Sequence, residues 1–582
     1  MDKFSTNLAV RALNHWRNYS IPTYLGIRLL LRQVPKSESS NFLTEYLIGK
    51  LPMRKTGRYR PFLRFKGFTA SGKIENRDMY AASPSTALAE AYALSILSSV
   101  NTLRNKSCVY SNRWPTSKTA GRDFIYFYSG YSDRNARISN QLQQNNRLFV
   151  VANDIKSFYP NIDKRVITEK FGKHLNIIKD SKQRDFIEKT SHQLMITSHR
   201  GIPIGPALSH VLANVVLESV DDEMYSQFGN RYFRYVDDIL MVLEEKEIPS
   251  AEKKLEESLG KQGFELNHGK KDKVSASNWL NNINDPEEGF LSKQYDELSN
   301  RIRLFLWNAP SKREALSNKF KEAGIGIPIQ RYAVDANYGR FHHYMKYYLK
   351  KSTANARKII RGNLEHENAD TIFADSVFLK DRFLEVAPRI KIEPGDESNL
   401  VKKLRIQRLR YLLNRLLYLT PHTEYKKLLE IAPDMVEFYE YRTVINSLIK
   451  NSIGELVKIP GPAISTFAEV FQELEHGKVT LVVEKIDTST MLDSLATLTS
   501  FGVFEPPGDW IQKLTPNNQE YINFCMFARL SSRILTDFSY EDELRSLQIN
   551  SDTSVRQTLM TTRFSDDECI NLDALLDSSY GY

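Results

Sequence analysis

Three carboxylates stand where β-prone segments end. Residues 147–154 read Arg-Leu-Phe-Val-Val-Ala-Asn-Asp, and period-two alternation puts Leu148, Val150, Ala152 and Asp154 on one face of a strand. Further on, Tyr232-Phe233-Arg234-Tyr235-Val236-Asp237-Asp238-Ile239-Leu240-Met241-Val242-Leu243 sets two acids between apolar arms. That pattern predicts a hairpin with Asp237 and Asp238 at its tip. If the two elements are neighbours, three carboxylates converge at one sheet edge. Such a cluster repels itself unless cations neutralise it or protons are taken up. Hard oxygen ligands suit Mg2+ or Mn2+, whereas zinc would want His or Cys. Two such ions roughly 4 Å apart activate a hydroxyl and stabilise departing pyrophosphate. The chemistry expected of Asp154, Asp237 and Asp238 is therefore two-metal phosphoryl transfer.

These residues carry a family resemblance. Tyr235-Val236-Asp237-Asp238 resembles motif C of reverse transcriptases, and Asp154 to Tyr159 resembles their motif A. The resemblance implies that Tyr159 is the bulky gate that rejects a ribose 2′-hydroxyl, and hence that deoxynucleotides are used. Arg200-Gly201-Ile202-Pro203-Ile204-Gly205-Pro206 resembles motif B, with Arg200 where the family usually has Gln. Gly201 and Gly205 would let the backbone approach nucleotide and template closely. Leu266-Asn267-His268-Gly269-Lys270 is similar to motif D, making Lys270 the candidate proton donor or charge stabiliser for pyrophosphate. Lys271 and Lys273 compete for that role, and no glycine-containing motif E comes after Trp279-Leu280.

Upstream, Ser71-Gly72-Lys73-Ile74-Glu75-Asn76-Arg77 reads as a turn between strands and resembles the fingers hairpin of these enzymes. Lys73 and Arg77 would pair with triphosphate oxygens, with Arg113 a third candidate. From Arg54 to Lys73 there are seven bases and no acid, with Tyr59, Phe62, Phe65 and Phe68 interleaved. A cationic strip with aromatic platforms, here including Arg58, Arg60, Arg64 and Lys66, suits single-stranded nucleic acid. A basic strand packed on its aromatic face is the competing reading.

The elements that position these residues belong to a chain of 582 residues, long enough for two or more domains. It is 41% hydrophobic and 26% charged, as globular proteins are, and its net charge of +10 favours a polyanionic partner. Cys108, Cys525 and Cys569 are too far apart for a zinc ribbon or disulfide framework. The N-terminus has no apolar signal region, and no run approaches the ~20 apolar residues of a membrane span. The expectation is a cytoplasmic protein with no membrane partner.

The expected fold is α+β, a right-hand polymerase fingers and palm with an antiparallel palm sheet, followed by a largely α-helical C-terminal domain. Residues 1–130 are read as N-terminal segment and fingers, 131–285 as palm, and 286–582 as the helical part, with polar 281–289 as the boundary. After a second break at 394–399, Leu400, Leu404, Leu412, Leu413, Leu416 and Leu417 line one side of a long helix. Lys402, Lys403, Arg405, Arg408, Arg410 and Arg415 fall largely on the rest, as a solvated basic face or a nucleic-acid groove wall.

A palm with a long helical half, a Val-Tyr-Ser-Asn-Arg run at 109–113 and a Gly-Ile-Pro-Ile-Gly loop look like the bacterial abortive-infection and defence-associated reverse transcriptases. The Cys-containing module of intron maturases, the Val-Thr-Gly element of retron enzymes and an RNase H acidic cluster are not found. The resemblance implies dNTPs, DNA or RNA as partners, a helical half in place of a thumb, and self-oligomers in some members. It also implies, in some, untemplated DNA made from a protein hydroxyl, for which Tyr580 and Tyr582 are candidates. The rival readings are a retron-like or mobile-element enzyme copying a specific RNA, and a non-catalytic nucleic-acid scaffold on a palm fold.

Overall fold

The computed structural model describes residues 3–17, 19–33, 59–115, 122–125, 127–283, 286–308, 312–329, 368–392, 398–474, 476–479, 481, 487–526 and 540–549. Arg54, Arg58, Cys569, Tyr580 and Tyr582 lie outside them.

Two antiparallel sheets organise the first half. β1 (Tyr59–Phe68) and β2 (Ile74–Ala82) form a hairpin, and β3 (Leu148–Asp154), β4 (Tyr232–Tyr235), β5 (Asp238–Glu244) and β6 (Asp272–Ser275) form a four-stranded sheet in the order β4-β5-β3-β6. Alternation divides β3 between two cores. Leu148 and Val150 join Leu240 and Val242, while Val151 belongs with Met241 and Leu243 to the larger cluster. With both faces covered, the strands are apolar almost throughout. This is the fingers-and-palm architecture expected, carried in a largely helical chain.

Helices flank both sheets. α1 (Lys3–Trp16), α2 (Ile21–Gln33) and α3 (Pro84–Leu97) pack together behind the hairpin, and α4 (Phe127–Gln144) and α5 (Ala207–Phe228) cover the palm. Position 130, expected as a domain edge, falls inside α4. α6 (Ile248–Gly260) packs on α5, and α7 (Ala276–Ile283) on α4, where the buried Trp279 indole donates to Ser139 Oγ at 3.0 Å. α8 (Pro286–Asn308) then starts the helical part.

The C-terminal helices return to the first half of the chain. α9 (Asn399–Leu419) opens at the β6 edge, where Asp272 Oδ2 accepts from Ser398 Oγ and from Leu400 N, both at 2.6 Å. A carboxylate at a helix N-terminus is favoured by the dipole and by the orphan N–H groups. Leu400, Val401 and Leu404 complete the core beneath Leu148 and Val150. The basic face expected on α9 is largely tied inward. Arg405 donates to Asn282 Oδ1 at 2.7 Å, Arg408 to the Asn282 carbonyl at 3.0 Å, and Arg415 is buried with its guanidinium 4.7 Å from both the Tyr295 and Tyr411 rings. Beyond it come α10 (Tyr439–Lys450), α11 (Thr488–Ser500), α12 (Pro516–Met526) and α13 (Tyr540–Ile549). α13 reaches back to the fingers: Glu543 accepts from Ser83 Oγ at 2.6 Å and from Ser85 N at 2.5 Å, at the start of α3. No helix among the described residues is long and apolar enough to cross a membrane.

Candidate active site

Asp154, the last residue of β3, is directly opposite Asp238, the first of β5. Asp237 sits in the turn before it, its carbonyl accepting from Ile155 N at 3.2 Å. The hairpin tip is thus Val236-Asp237, and Asp238 belongs to the returning strand rather than to the tip. Burial, then the neighbouring Asp238 and Asp154 carboxylates, push Asp237 up to about 6. Adjacent acids in a half-buried edge resist simultaneous ionisation.

Two ammonium groups offset that charge. Lys270 Nζ lies 2.9 Å from Asp154 Oδ2, and Lys403 Nζ lies 3.0 and 3.2 Å from the two Asp238 oxygens. Lys271 and Lys273, which compete with Lys270 in sequence, pair instead with Glu252 and Glu245. Among the described residues no three Asp, Glu, His or Cys side chains are gathered so as to hold a metal ion. The donor set nonetheless fits a hard divalent ion: three carboxylates without a His or Cys, with an excess of negative charge that the chain itself meets with cations.

The turn is strained and pinned. Val236 has φ +56°, a left-handed conformation that costs a β-branched residue on the order of 1–2 kcal/mol. Its N–H donates to Ser111 Oγ at 2.9 Å and its carbonyl accepts from Arg234 Nη1 at 3.0 Å. Arg234 is itself buried in a bidentate pair with Asp221, Nε and Nη2 both 2.7 Å from its oxygens. A short run at 108–110 bonds along β4, Arg234 N donating to Cys108 O and Tyr110 N to Arg234 O. The Val-Tyr-Ser-Asn-Arg run therefore supports the catalytic-type turn from behind.

Tyr159 is half-buried, its hydroxyl 2.7 Å from His210 Nδ1. Burial raises its pKa, with Asp237 acting in the same direction, so the phenol stays neutral beside the acids. The motif B glycines admit other parts of the backbone. A Cβ on Gly201 (φ +65°) would meet the Tyr159 carbonyl at 2.0 Å, and one on Gly205 (φ +120°) the Tyr80 carbonyl at 2.6 Å. The loop is clamped between motif A and the fingers strand, Ile202 N donating to Tyr159 O and Tyr80 N to Ile204 O. Gly205 also accepts from His15 Nε2 at 2.8 Å. Arg200 is exposed and donates to Asn161 Oδ1 at 2.6 Å.

Several expected phosphate contacts are placed differently. Lys73 is exposed in the β1–β2 turn, but Arg77 lies within β2, opposite Arg64, rather than in the turn. Arg77 is the smallest of the charges that act on Tyr159, the candidate sugar gate, and it opposes the rise caused by burial. Arg113 pairs with Asp133 of α4 at 2.6 Å. The cationic strip does not form as expected. Arg60, its side chain 11% exposed, is turned inward, 2.5 Å from Glu541 and stacked 4.0 Å over Tyr521. Lys66 pairs with Glu75 at 2.6 Å, and Arg64 is half-buried over Tyr19. The aromatics are packing groups: Tyr59 donates to buried Glu90 at 2.6 Å, and Phe65 and Phe68 pack on Tyr439 of α10. Strand alternation sends every second residue inward, which charge counting along the chain ignores.

Sequence reasoning put Lys403 on a basic helix face but not at the carboxylates, and missed Tyr131. Tyr131 OH donates to Asp238 Oδ2 at 3.1 Å, and its ring lies 4.0 Å from Tyr235, with buried Arg134 4.6 Å from the Tyr131 centroid. Neither sits in a recognisable motif; only the tertiary packing of α4 and α9 brings them to β5.

Residues 105–298 match the family described as reverse transcriptase (RNA-dependent DNA polymerase). This stretch is a reverse-transcriptase domain. It spans Asp154, Asp237, Asp238 and Lys270, and it supports RNA-directed DNA polymerase activity for this stretch. The reverse-transcriptase domain ends within α8, before Lys403. No curated protein matches the chain. Among solved structures, apo telomerase from Candida tropicalis is similar at 11% identity and a TM-score of 0.28, over 68% of this chain and 72% of that one. That likeness is too slight to bear on function.

Proposed function

We propose that the chain polymerises deoxynucleotides with two divalent ions held by Asp154, Asp237 and Asp238. The observation that carries this reading is the register of β3 and β5, which sets Asp154 against Asp238 with Asp237 in the adjoining turn. Bound there, Mg2+ or Mn2+ would activate the attacking hydroxyl and stabilise the leaving pyrophosphate. Tyr159 acts as sugar gate, Arg77 and Lys73 meet the triphosphate, and Lys270 stabilises departing charge. Asp237→Asn, which keeps the shape of the turn, should abolish incorporation of labelled dNTPs, and EDTA should do the same to the unaltered protein. Incorporation by the variant at the wild-type rate would refute the reading.

We place this polymerisation in antiphage defence. The support is the likeness of the 109–113 run and the Gly201–Gly205 loop to the defence-associated reverse transcriptases, together with a C-terminal half that packs on the palm and fingers. Untemplated, protein-primed synthesis and self-assembly belong to the same proposal. Phage challenge of cells carrying wild-type or Asp237→Asn protein tests the setting, and loss of protection only in the variant is expected. Sequencing DNA recovered with the purified protein tests templating. Random or homopolymeric product is expected, and faithful copies of one RNA would transfer the chain to the retron-like class.

A further inference from the structure

We infer that Lys403 is a substrate-contacting residue that α9 supplies to the active site, binding a backbone phosphate of the nucleic-acid strand whose end reacts. The inference rests on the polymerase reading above and assigns a job to the C-terminal half. Lys403 lies well outside residues 105–298. Its Nζ nevertheless spans both oxygens of Asp238, with its side chain 49% exposed. The position is built. Asp272 of β6, paired with Ala152 two residues before Asp154, fixes the first turn of α9, and Leu400, Val401 and Leu404 bury the opposite side of that turn under the palm. The ammonium is thus held at the carboxylate edge by packing on one side and by a capped helix end on the other.

Charge then decides its partner during reaction. A divalent ion at Asp238 repels an ammonium only a few ångströms away, and the three carboxylates are all engaged by metal in the proposed mechanism. The remaining anion within reach is phosphate. Two sides of the site can be told apart. Tyr159, which bonds to His210 and feels the charges of Asp237 and Arg77, marks the side where the nucleotide is placed, whereas Lys403 and Tyr131 bond to Asp238. Exposed Gln407, Arg410 and Asn414 continue from Lys403 at helical spacing. They form a stripe of hydrogen-bond donors leading away from the catalytic edge, with Arg410 only loosely paired to Glu440 at 3.5 Å. A strand running along the stripe would place its terminal phosphates at Lys403.

The test is binding of a fluorescein-labelled single-stranded DNA oligonucleotide to the full chain at a fixed Mg2+ concentration without dNTP, read by anisotropy across a monovalent-salt series. Lys403→Gln should weaken binding and reduce the slope of log affinity against log salt by about one phosphate contact. Lys403→Arg should restore the slope. In Mg2+, Lys403→Gln should raise KM for the DNA end roughly tenfold while leaving KM for dNTP unchanged. An unchanged slope with a lower half-saturating Mg2+ would mean that Lys403 only occupies the metal site, and would overturn the inference. A raised dNTP KM with unchanged DNA binding would overturn it too. Asp237→Asn, run alongside, should bind DNA with the wild-type salt slope and incorporate nothing. That control separates failure of the Lys403 assignment from failure of the polymerase reading.

Discussion

Arg60 on β1 and Glu541 on α13 are 481 positions apart and meet at 2.5 Å in the interior, with Asp493 3.9 Å from the same guanidinium and Tyr521 beneath it. The contact ties the fingers hairpin to the last described helix. Removing the cation leaves two largely buried carboxylates without it, a change that costs about 3–5 kcal/mol in such settings. Arg60→Ala should therefore lower the Tm and the denaturant midpoint while DNA affinity of the folded protein stays unchanged. Lost affinity at an unchanged Tm would return Arg60 to the nucleic-acid surface.

Ser111 reaches across from the 109–113 run to hold the Val236 N–H. Ser111→Ala removes the acceptor from a strained turn, costing about 1 kcal/mol of stability. The larger expected effect is catalytic, because a loosened turn misplaces Asp237, and small misplacements cost about tenfold or more. Incorporation rate and Tm measured on one preparation separate the two. A rate loss in step with the fraction unfolded would show that the hydroxyl serves stability alone.

Tyr159 lies against His210 and is influenced by Asp237 and Arg77. Tyr159→Val opens space beside the nucleotide sugar and should raise ribonucleotide use relative to deoxynucleotide use by on the order of tenfold to a hundredfold. Tyr159→Phe keeps the ring and should preserve discrimination. Competition between labelled dNTP and rNTP reads both, and equal discrimination in all three proteins would exclude the gate.

Glu90 offers a pH test away from the metal site. Burial raises its pKa to about 7, against hydrogen bonds from Tyr59 OH and Ala207 N that lower it. A carboxyl with a raised folded-state pKa holds its proton more tightly when folded. Its stabilisation is full below the unfolded value near 4.5 and is lost as pH rises through about 7. Across that window the wild type should lose up to about 3 kcal/mol through this group. Glu90→Gln does not titrate, so its Tm relative to wild type should rise between pH 5 and pH 8. Asp123, raised to about 6 by burial, acts in the same direction, and its charge adds to the rise at Glu90, so Asp123→Asn is the matching control. A constant Tm difference would contradict the assignment.

The palm was legible because its signal is local. Apolar strands ending in Asp154 and flanking Asp237-Asp238 state their own alternation, and the β3–β5 register is set once the two pair. The glycines of the 200–206 loop were visible too, but not their reason, since the backbones of Tyr159, Pro160 and Tyr80 that they admit are distant in sequence. Charge was the poorest guide. Arg60 and Arg64 share one face of β1, yet only Arg60 is met by Glu541 of the returning α13 and by Asp493 of α11.

By itself, the sequence determined the carboxylate set, the two strand arms that carry it, and the helical character of the C-terminal half. The tertiary structure alone decided which cations reach those carboxylates. Lys270 is separated from Lys271 and Lys273 by a single turn that aims one ammonium at Asp154. Lys403 arrives from a helix that Asp272 caps and Leu400, Val401 and Leu404 anchor. Side-chain direction and long-range packing settle such choices, and neither is written in the spacing of residues along a chain.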